Sequence, residues 1–309
     1  MSESNGRSSW GAEVNAPEIL PPQQRPGVYA GQPASIGAEQ PVAADFRPGF
    51  DRLPPARTPR PRWATAPATY VLIGINCLVF LLMCLSGASP TLPTRHQLLL
   101  WGADAGPLVL AGGQWWRLVT AMFVHIGALH LALNMWCLWN LGLLGEPLVG
   151  PLGLFAAYVL TGIGGNLLTV AISPGLPGTT PAGVGAGASG AIFGLAGLLI
   201  VLLRSRLLPL PKAELKGLQR SVIWFAVLNF VLGAGSSLAH TAVRIDNMAH
   251  LGGFITGLAM ALPMVPKIGA APSLFRRRRA MAIAGASVGL LLLAYGVHSF
   301  YHAALTQMQ

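Results

Sequence analysis

Long stretches without a charged residue constrain the fold of this chain more than any other feature of its sequence. The longest of them lies between Glu146 and Arg204 and contains 57 residues without Asp, Glu, Lys or Arg. Charged residues make up only 10% of the chain, whereas a soluble domain contains about 25%. So few charges would not keep a folded surface in water. This excludes a soluble globular enzyme and indicates a membrane protein with several spans.

The uncharged stretches predict seven membrane-spanning helices. A bilayer core about 30 Å thick needs about 20 apolar residues per helix. The longest stretch is too long for one span, and the Gly-, Pro- and Thr-rich segment 173–187 interrupts it. We therefore predict an all-α, polytopic membrane protein with spans near 69–87, 120–143, 152–173, 188–203, 221–239, 247–265 and 281–303. The fourth span is short and the sixth is glycine-rich, which is permitted in helices buried inside a bundle.

The segments outside these spans differ in composition. The N-terminal segment is rich in Pro, Gly, Ala, Ser and Gln, lacks hydrophobic periodicity and has no signal-peptide pattern, so we predict that it is disordered. The predicted organisation is a disordered cytoplasmic arm, a six-helix core, a basic cytoplasmic linker, a seventh transmembrane helix and a short tail, over residues 1–65, 66–266, 267–280, 281–303 and 304–309.

The basic residues predict the orientation of the chain. If the N-terminus is cytoplasmic, 17 of the 20 Lys and Arg residues lie on the cytoplasmic side and only Arg95, Arg117 and Arg244 lie outside. Positive charge on cytoplasmic loops is the usual topology signal. It accounts for the net charge of +10 without a nucleic-acid partner. We expect a multi-pass protein of the plasma membrane with its C-terminus on the outer side.

Three predicted spans carry polar residues at similar depth, close to the outer surface. Ser189 begins the fourth span and His250 lies near the start of the sixth. In the second span His130 and Asn134 are four residues apart and share a helix face. His125 lies about 140° from His130 on a helix, so we place it at the helix entry. Polar residues inside a membrane mark functional sites by default.

These residue types suit acyl transfer. A serine hydroxyl becomes a good nucleophile when a histidine takes its proton, and hydrogen-bond donors must stabilise the oxyanion that forms. Ser189 has free backbone N–H groups beside it at a helix N-terminus. The chemistry requires close helices, and Gly190 and Gly194 on one helix with Gly253 and Gly257 on the other permit close packing.

At these residues the sequence resembles the rhomboid family of intramembrane serine proteases. The resemblance covers residues 66–266, the six-helix core, and the family also contains members with one further C-terminal helix. It depends on several motifs in order: Trp116-Arg117, the spacing of His125, His130 and Asn134, then Glu146, Gly187-x-Ser189-Gly190, and His250 followed by Gly253 and Gly257.

The resemblance implies peptide-bond hydrolysis in transmembrane segments by a Ser–His dyad through an acyl-enzyme. Ser189 would be the nucleophile and His250 the general base. His130, Asn134 and the Ser189 N–H would bind the oxyanion, with His125 supporting the site.

The resemblance also assigns positions around the site. Trp116 and Arg117 would lie in a membrane-embedded loop, and Glu146 would be a cap or a loop-fixing acceptor rather than a chemical group. Phe193 stands where the family often has Tyr; its ring can still pack under His250. The implied partners are single-span membrane proteins and the bilayer, and the fifth helix (221–239) and the outer loops are candidate gates.

Several alternatives remain open on the sequence alone. Ser189 would be an N-cap if it stood alone, and His250 a hydrogen-bonded packing residue. Asp246 suggests a triad, but its position at the membrane edge favours a solvated boundary charge. A transporter would need internal symmetry and a polar path through the membrane, and neither is visible.

No metal or cofactor is expected. The chain has no His-Glu-x-x-His motif, and its three cysteines, an odd number, all lie in apolar stretches.

Overall fold

The computed structural model describes residues 66–177, 183–205, 208, 211–238, 245–265 and 270–308. Within them the secondary structure is helical, apart from one isolated β-bridge. The α-helices are α1 Pro67–Leu85, α2 Arg95–Leu100, α3 Gly106–Leu110, α4 Arg117–Thr120, α5 Ala128–Ile172, α6 Ser189–Leu202, α7 Lys212–Leu238, α8 Asn247–Ala261 and α9 Pro272–Gln307. The predicted arm 1–65 and three basic residues used for the orientation, Arg206, Arg244 and Lys267, lie outside the described residues.

Four of the described helices are long and apolar enough to cross a membrane: α1, α5, α7 as far as Leu232, and α9. Two further apolar helices, α6 and α8, have 14 and 15 residues. The all-helical membrane fold is therefore confirmed, and the count of seven spans stays a prediction.

The second and third predicted spans correspond to two helices that meet at Gly150 and are labelled together as α5. Gly150 has φ 75° and ψ 166°, which interrupts the helix, and Pro151 follows it. The two halves, 128–149 (α5N) and 151–172 (α5C), are each roughly 33 Å long at about 1.5 Å per residue, which matches a bilayer core. Arg279 of α9 stabilises the break, since its Nη1 donates to the Val149 carbonyl at 2.6 Å.

The basic run Arg276–Arg279 is helical, and the division into a linker over 267–280 and a membrane helix over 281–303 stays a prediction. Helix α9 begins at Pro272, so Arg276–Arg279 form part of its first turns. Arginine is a good helix former, and the contact of Arg279 with Val149 lies 130 positions away in the sequence. A linker prediction based on local charge could not include that contact.

Glycines allow α6 and α8 to pack closely at the centre of the bundle. Every residue from Gly190 to Leu199 in α6 is buried. A Cβ atom on Gly253 would collide with the Gly190 carbonyl, and one on Gly257 with the Gly194 carbonyl. Only glycine permits this approach of the two backbones. Because α6 packs against other helices and not against lipid, the fourth predicted span can be shorter than the bilayer is thick.

Glu146 of α5N holds the start of α1. The side chain is 1% exposed, and its carboxylate accepts hydrogen bonds from the N–H groups of Ala68 and Thr69 at 2.9 and 2.8 Å. The Thr69 hydroxyl also donates to it at 2.7 Å. The first N–H groups of a helix lack partners within the helix, and a carboxylate there satisfies them. Glu146 is thus a helix cap that joins α1 to α5.

Candidate active site

Ser189 is the first residue of α6, and the segment before it fixes its position. Gly187 has φ 130°, and its N–H donates to the Ala121 carbonyl at 2.9 Å. A Cβ there would lie 2.6 Å from Cε1 of His130, so a side chain at Gly187 would push against that imidazole. The N-cap of α6 is Ala188. The alternative that Ser189 is the N-cap is therefore wrong.

A β-bridge fixes the same segment further upstream. Asp104 and Gly185 exchange two backbone hydrogen bonds, both of 3.0 Å. Asp104 belongs to the loop between α1 and α5, so this loop and the approach to Ser189 form one hydrogen-bonded unit. The sequence signals predicted no contact between these two segments.

His250 lies in the first turn of α8, and Asp246 holds that turn. One carboxylate oxygen of Asp246 accepts from the N–H groups of Met248 and Ala249 at 3.0 and 2.9 Å. The other accepts from the Thr169 hydroxyl of α5C at 2.7 Å. The prediction of a solvated boundary charge is therefore wrong: Asp246 is a half-buried N-cap.

The His250 imidazole is buried at 4% exposure and stacks on Phe193. The two ring centroids are 4.1 Å apart and the planes differ by 10°. Neither ring nitrogen forms a hydrogen bond with a described residue. His250 is therefore not a packing histidine held by hydrogen bonds to the described residues. Neither the Ser189 hydroxyl nor Asp246 forms a hydrogen bond with its ring in this structure.

His130 and Asn134 lie one turn apart on α5N. Asn134 is 6% exposed, and its Nδ2, like Nδ1 of His130, has no hydrogen-bond partner among the described residues. His125 precedes α5, as its spacing predicts, and is completely buried. Its ring lies 5.3 Å from the ring of His130, between centroids. The rings of His125 and His130 are therefore direct neighbours.

One cavity of about 220 Å³ brings these side chains together. Ser189, His250, His130 and Asn134 all line it, and so does Phe193. Buried polar atoms are normally hydrogen-bonded, yet both nitrogens of His250, Nδ1 of His130 and Nδ2 of Asn134 have no partner among the described residues. A cavity lined by these groups and a serine hydroxyl can bind a polar group and move a proton.

Arg117 has a structural role in the loop between α1 and α5. It is 8% exposed, and its guanidinium donates to the carbonyls of Leu99 and Ala103 at 2.8 and 2.7 Å. It also donates to the Gln114 side chain at 2.6 Å and lies 4.5 Å from the ring centre of Trp116. These contacts fix the loop that carries Asp104.

The family model for the Rhomboid domain matches residues 112–267, half of the chain. That region contains every candidate residue named above from Trp116 to Gly257.

The chain belongs to the rhomboid family.

Individual relatives agree with this assignment. The chain is 35% identical over 236 residues to "Rhomboid protease GluP" of Bacillus subtilis, and this match covers 76% of this chain and 41% of that protein. It is 30% identical over 210 residues to "Rhomboid protease AarA" of Providencia stuartii, a match that covers 64% of this chain and 73% of that protein. It is 34% identical over 182 residues to "RHOMBOID-like protein 5" of Arabidopsis thaliana, a match that covers 58% of this chain and 53% of that protein. The match thus spans less than two thirds of two of these three relatives.

In this rhomboid protein the sequence reading missed two amides that line the cavity. Asn166 of α5C donates to the Leu118 carbonyl at 2.9 Å, and Asn229 lies in α7 on another wall. Both lie inside predicted spans, where any polar residue is a functional candidate. That rule could have found them.

A third residue that the sequence did not indicate is Asp104, a buried acid of the described rhomboid fold. It is 1% exposed, and neither carboxylate oxygen has a hydrogen-bond partner among the described residues. Burial, reinforced by the nearby charge of Asp246, raises the pKa of the Asp104 carboxyl well above its usual value. No motif marks this position; only the fold makes it unusual.

Proposed function

We propose that this protein is an intramembrane serine endopeptidase that cleaves transmembrane segments of other membrane proteins. The observation that carries the proposal is the shared cavity, which Ser189 and His250 line together with His130 and Asn134, whose Nδ1 and Nδ2 have no hydrogen-bond partner among the described residues. Membership in a family whose curated relatives include named proteases supports it.

In the proposed reaction Ser189 is the nucleophile and His250 the general base. The hydroxyl oxygen attacks the carbonyl carbon of the scissile bond while an imidazole nitrogen takes its proton. That proton then passes to the departing amine, which leaves an acyl-enzyme on Ser189. Water, deprotonated by His250, attacks the ester and releases the carboxylate. The hydrogen bond between Ser189 and His250 forms on substrate binding, since such contacts often tighten only in the complex.

The developing oxyanion needs donors that are already in position. His130, Asn134 and the backbone N–H of Ser189 are the proposed donors. The unpartnered Asn134 Nδ2 suits this role, because a donor used elsewhere in the fold would first have to break a bond. His125 behind His130 limits the movement of that ring.

The proposed substrates are single-span membrane proteins, cleaved near their outer ends. Orientation with the N-terminus in the cytoplasm and the cavity opening to the outer face of the plasma membrane follows from the distribution of basic residues. The proposed gate is α7, which lines the cavity with Phe225 and Asn229 and exposes Trp224, Leu228 and Val231 on its other faces.

The test is cleavage of a fluorogenic transmembrane peptide by the purified protein in proteoliposomes. Wild type is expected to cleave, and Ser189→Ala and His250→Ala are expected to lose activity by at least about 10³-fold. Ser221→Ala is the matched control, because Ser221 is an exposed serine on α7 whose hydroxyl, among the described residues, bonds only to the Gly217 carbonyl. Wild type and control should react with a serine-directed fluorophosphonate, and Ser189→Ala should not. Full cleavage by Ser189→Ala would overturn the proposal.

A further inference from the structure

Asp104 is a buried acid that the proposed reaction does not use. It is 1% exposed, and neither of its carboxylate oxygens has a hydrogen-bond partner among the described residues. A buried acceptor without a partner lowers the stability of a fold, and a buried charge lowers it further. An unsatisfied acid at this depth therefore needs an explanation beyond packing.

The carboxyl of Asp104 lies against the chain segment that leads to Ser189. A Cβ atom on Gly185 would collide with Oδ1 of Asp104 and would lie 2.9 Å from its Cγ. The carboxyl thus fills the space that a side chain at position 185 would take. The backbones of the same two residues exchange two hydrogen bonds of 3.0 Å. Asp104 therefore contacts this segment with both its backbone and its side chain.

The segment 184–187 is one wall of the proposed active site. Its four residues line the cavity that Ser189 and His250 share, and Ser189 follows two residues later. The backbone N–H of Ser189 is a proposed oxyanion donor, and its direction depends on the chain that precedes it. A displacement of about 1 Å in an active site can cost about 10²-fold in rate. The contact between Asp104 and Gly185 can therefore affect the oxyanion donor.

The protonation state of Asp104 decides whether this contact is stable. A neutral carboxyl can stay in a buried space, whereas a carboxylate gains free energy by moving towards water or a cation. Among the described residues two charged groups act on it: Asp246, the N-cap of α8, repels a carboxylate, and Arg117 of α4 attracts it. Arg117 donates to other groups and forms no hydrogen bond with Asp104. An ionised Asp104 would therefore turn away from Gly185 and towards Arg117.

We propose that Asp104 is a positioning residue of the active site: its neutral carboxyl holds the segment 184–187, and its ionisation releases that segment and lowers kcat. The inference rests on the proposed protease function. It gives the enzyme an alkaline limit of activity that is set by a buried acid in the loop between α1 and α5, and not by the catalytic pair. Asp104→Asn keeps the shape of the side chain and cannot ionise, so this variant should lack the limit.

The experiment is the pH profile of kcat for cleavage of a fluorogenic transmembrane peptide in proteoliposomes, from about pH 5 to about pH 10. In wild type, kcat is expected to fall at least about 10-fold on the alkaline side and to recover when the pH is returned to neutral. Asp104→Asn is expected to retain its neutral-pH kcat through the alkaline range. The acidic side of the profile, which reports the general base, should be the same in both proteins.

Glu214→Gln is the matched control. Glu214 is an exposed acid in the first turn of α7 and does not line the cavity of Ser189. This variant removes one carboxylate without a change near Gly185, so its profile should equal that of wild type. Unfolding temperatures measured at each pH separate a loss of positioning from a loss of the fold. The expected decline in kcat occurs at pH values where wild type is still folded at the assay temperature.

The outcomes separate the inference from the function on which it rests. If wild type cleaves the peptide at no pH, the proposed function fails and the inference fails with it. If wild type cleaves the peptide and Ser189→Ala does not, but the wild-type kcat shows no alkaline decline or declines only where the protein unfolds, only the inference is wrong. An Asp104→Asn profile parallel to that of wild type would also overturn it. So would an Asp104→Asn protein that is unfolded or inactive at every pH, because a neutral side chain of the same shape should fit.

Discussion

The ring of Phe193 stacks on the imidazole of His250, with 4.1 Å between the ring centroids and 10° between the planes. Phe193 lies in α6 one turn after Ser189, and His250 lies in α8, so the stack joins the two helices that carry the proposed nucleophile and base. Because the two nitrogens of His250 have no hydrogen-bond partner among the described residues, this contact restrains the tilt of the imidazole.

Phe193→Ala should impair catalysis as well as stability, because the ring is buried in the bundle in addition to its stack on His250. Loss of the stack, a contribution of about 0.5–1.5 kcal/mol, lets the imidazole tilt, and we expect kcat to fall up to about ten-fold with little change in KM. Phe193→Tyr keeps the ring and should stay near wild type. Steady-state kinetics on a transmembrane peptide measures both. Equal kcat values for Phe193→Ala and wild type would show that the stack does not orient His250.

Asn134→Ala should lower kcat by about 10²-fold, the usual cost of one oxyanion donor. The amide is buried and its Nδ2 has no partner among the described residues, so its removal breaks no hydrogen bond of that nitrogen. We expect the thermal unfolding temperature in detergent to remain close to that of wild type. If kcat stays unchanged while KM rises, Asn134 binds the substrate in its ground state and is not an oxyanion donor.

Gly257→Ala should destabilise the fold, because a Cβ at this position would collide with the Gly194 carbonyl. The added methyl group forces α6 and α8 apart, and we expect a loss of about 1–3 kcal/mol in the free energy of unfolding. Gly285→Ala in α9 is the control, since no atom lies within 4 Å of a Cβ built there. Thermal unfolding of both variants tests the prediction. Similar unfolding temperatures for the two would contradict the close packing of α6 and α8.

The raised pKa of the Asp104 carboxyl predicts that the free energy of unfolding declines as the pH rises. Its folded-state pKa is raised by burial and by Asp246, whereas in the unfolded chain it is close to about 3.9. Above that value the unfolded chain has lost the proton while the folded chain retains it. Raising the pH therefore favours unfolding until the folded pKa is passed.

Asp104→Asn should remove this dependence, since an amide of the same shape does not titrate. We expect the variant to be more stable than wild type at neutral pH, and the difference to shrink as the pH falls towards 4. Unfolding temperatures measured at several pH values give the comparison. Parallel pH profiles for the two proteins would mean that Asp104 is not a buried acid in solution.

Much of the site could be predicted from local sequence. The spacing of His130 and Asn134 puts them on one helix face, and the uncharged stretch after Asp246 puts His250 near the start of a predicted span. The uncharged stretches show that these helices lie in a membrane. Together with the family motifs, these features named Ser189 and His250 without knowledge of the fold.

Contacts between distant segments account for what the sequence reading got wrong. From the sequence alone Asp246 is predicted to be a charge at the membrane edge, but in the structure the Thr169 hydroxyl of α5C donates a hydrogen bond to it. The basic run Arg276–Arg279 likewise gives no sign in the sequence that Arg279 donates to the Val149 carbonyl. In both cases a polar side chain bonds to a residue far away in the sequence, and a local sequence pattern cannot identify that partner.

The sequence by itself determined the membrane class, the all-helical fold and the candidate residues for the proposed chemistry, because these depend on short-range spacing and on the exclusion of charge from lipid. The tertiary structure alone decided which polar groups are buried without a hydrogen-bond partner among the described residues: the carboxylate of Asp104, the imidazole of His250 against Phe193, and the amide nitrogen of Asn134 on the cavity wall. Burial and hydrogen-bond satisfaction are properties of packed helices, and α6 and α8 reach their contact only because facing glycines let two backbones meet.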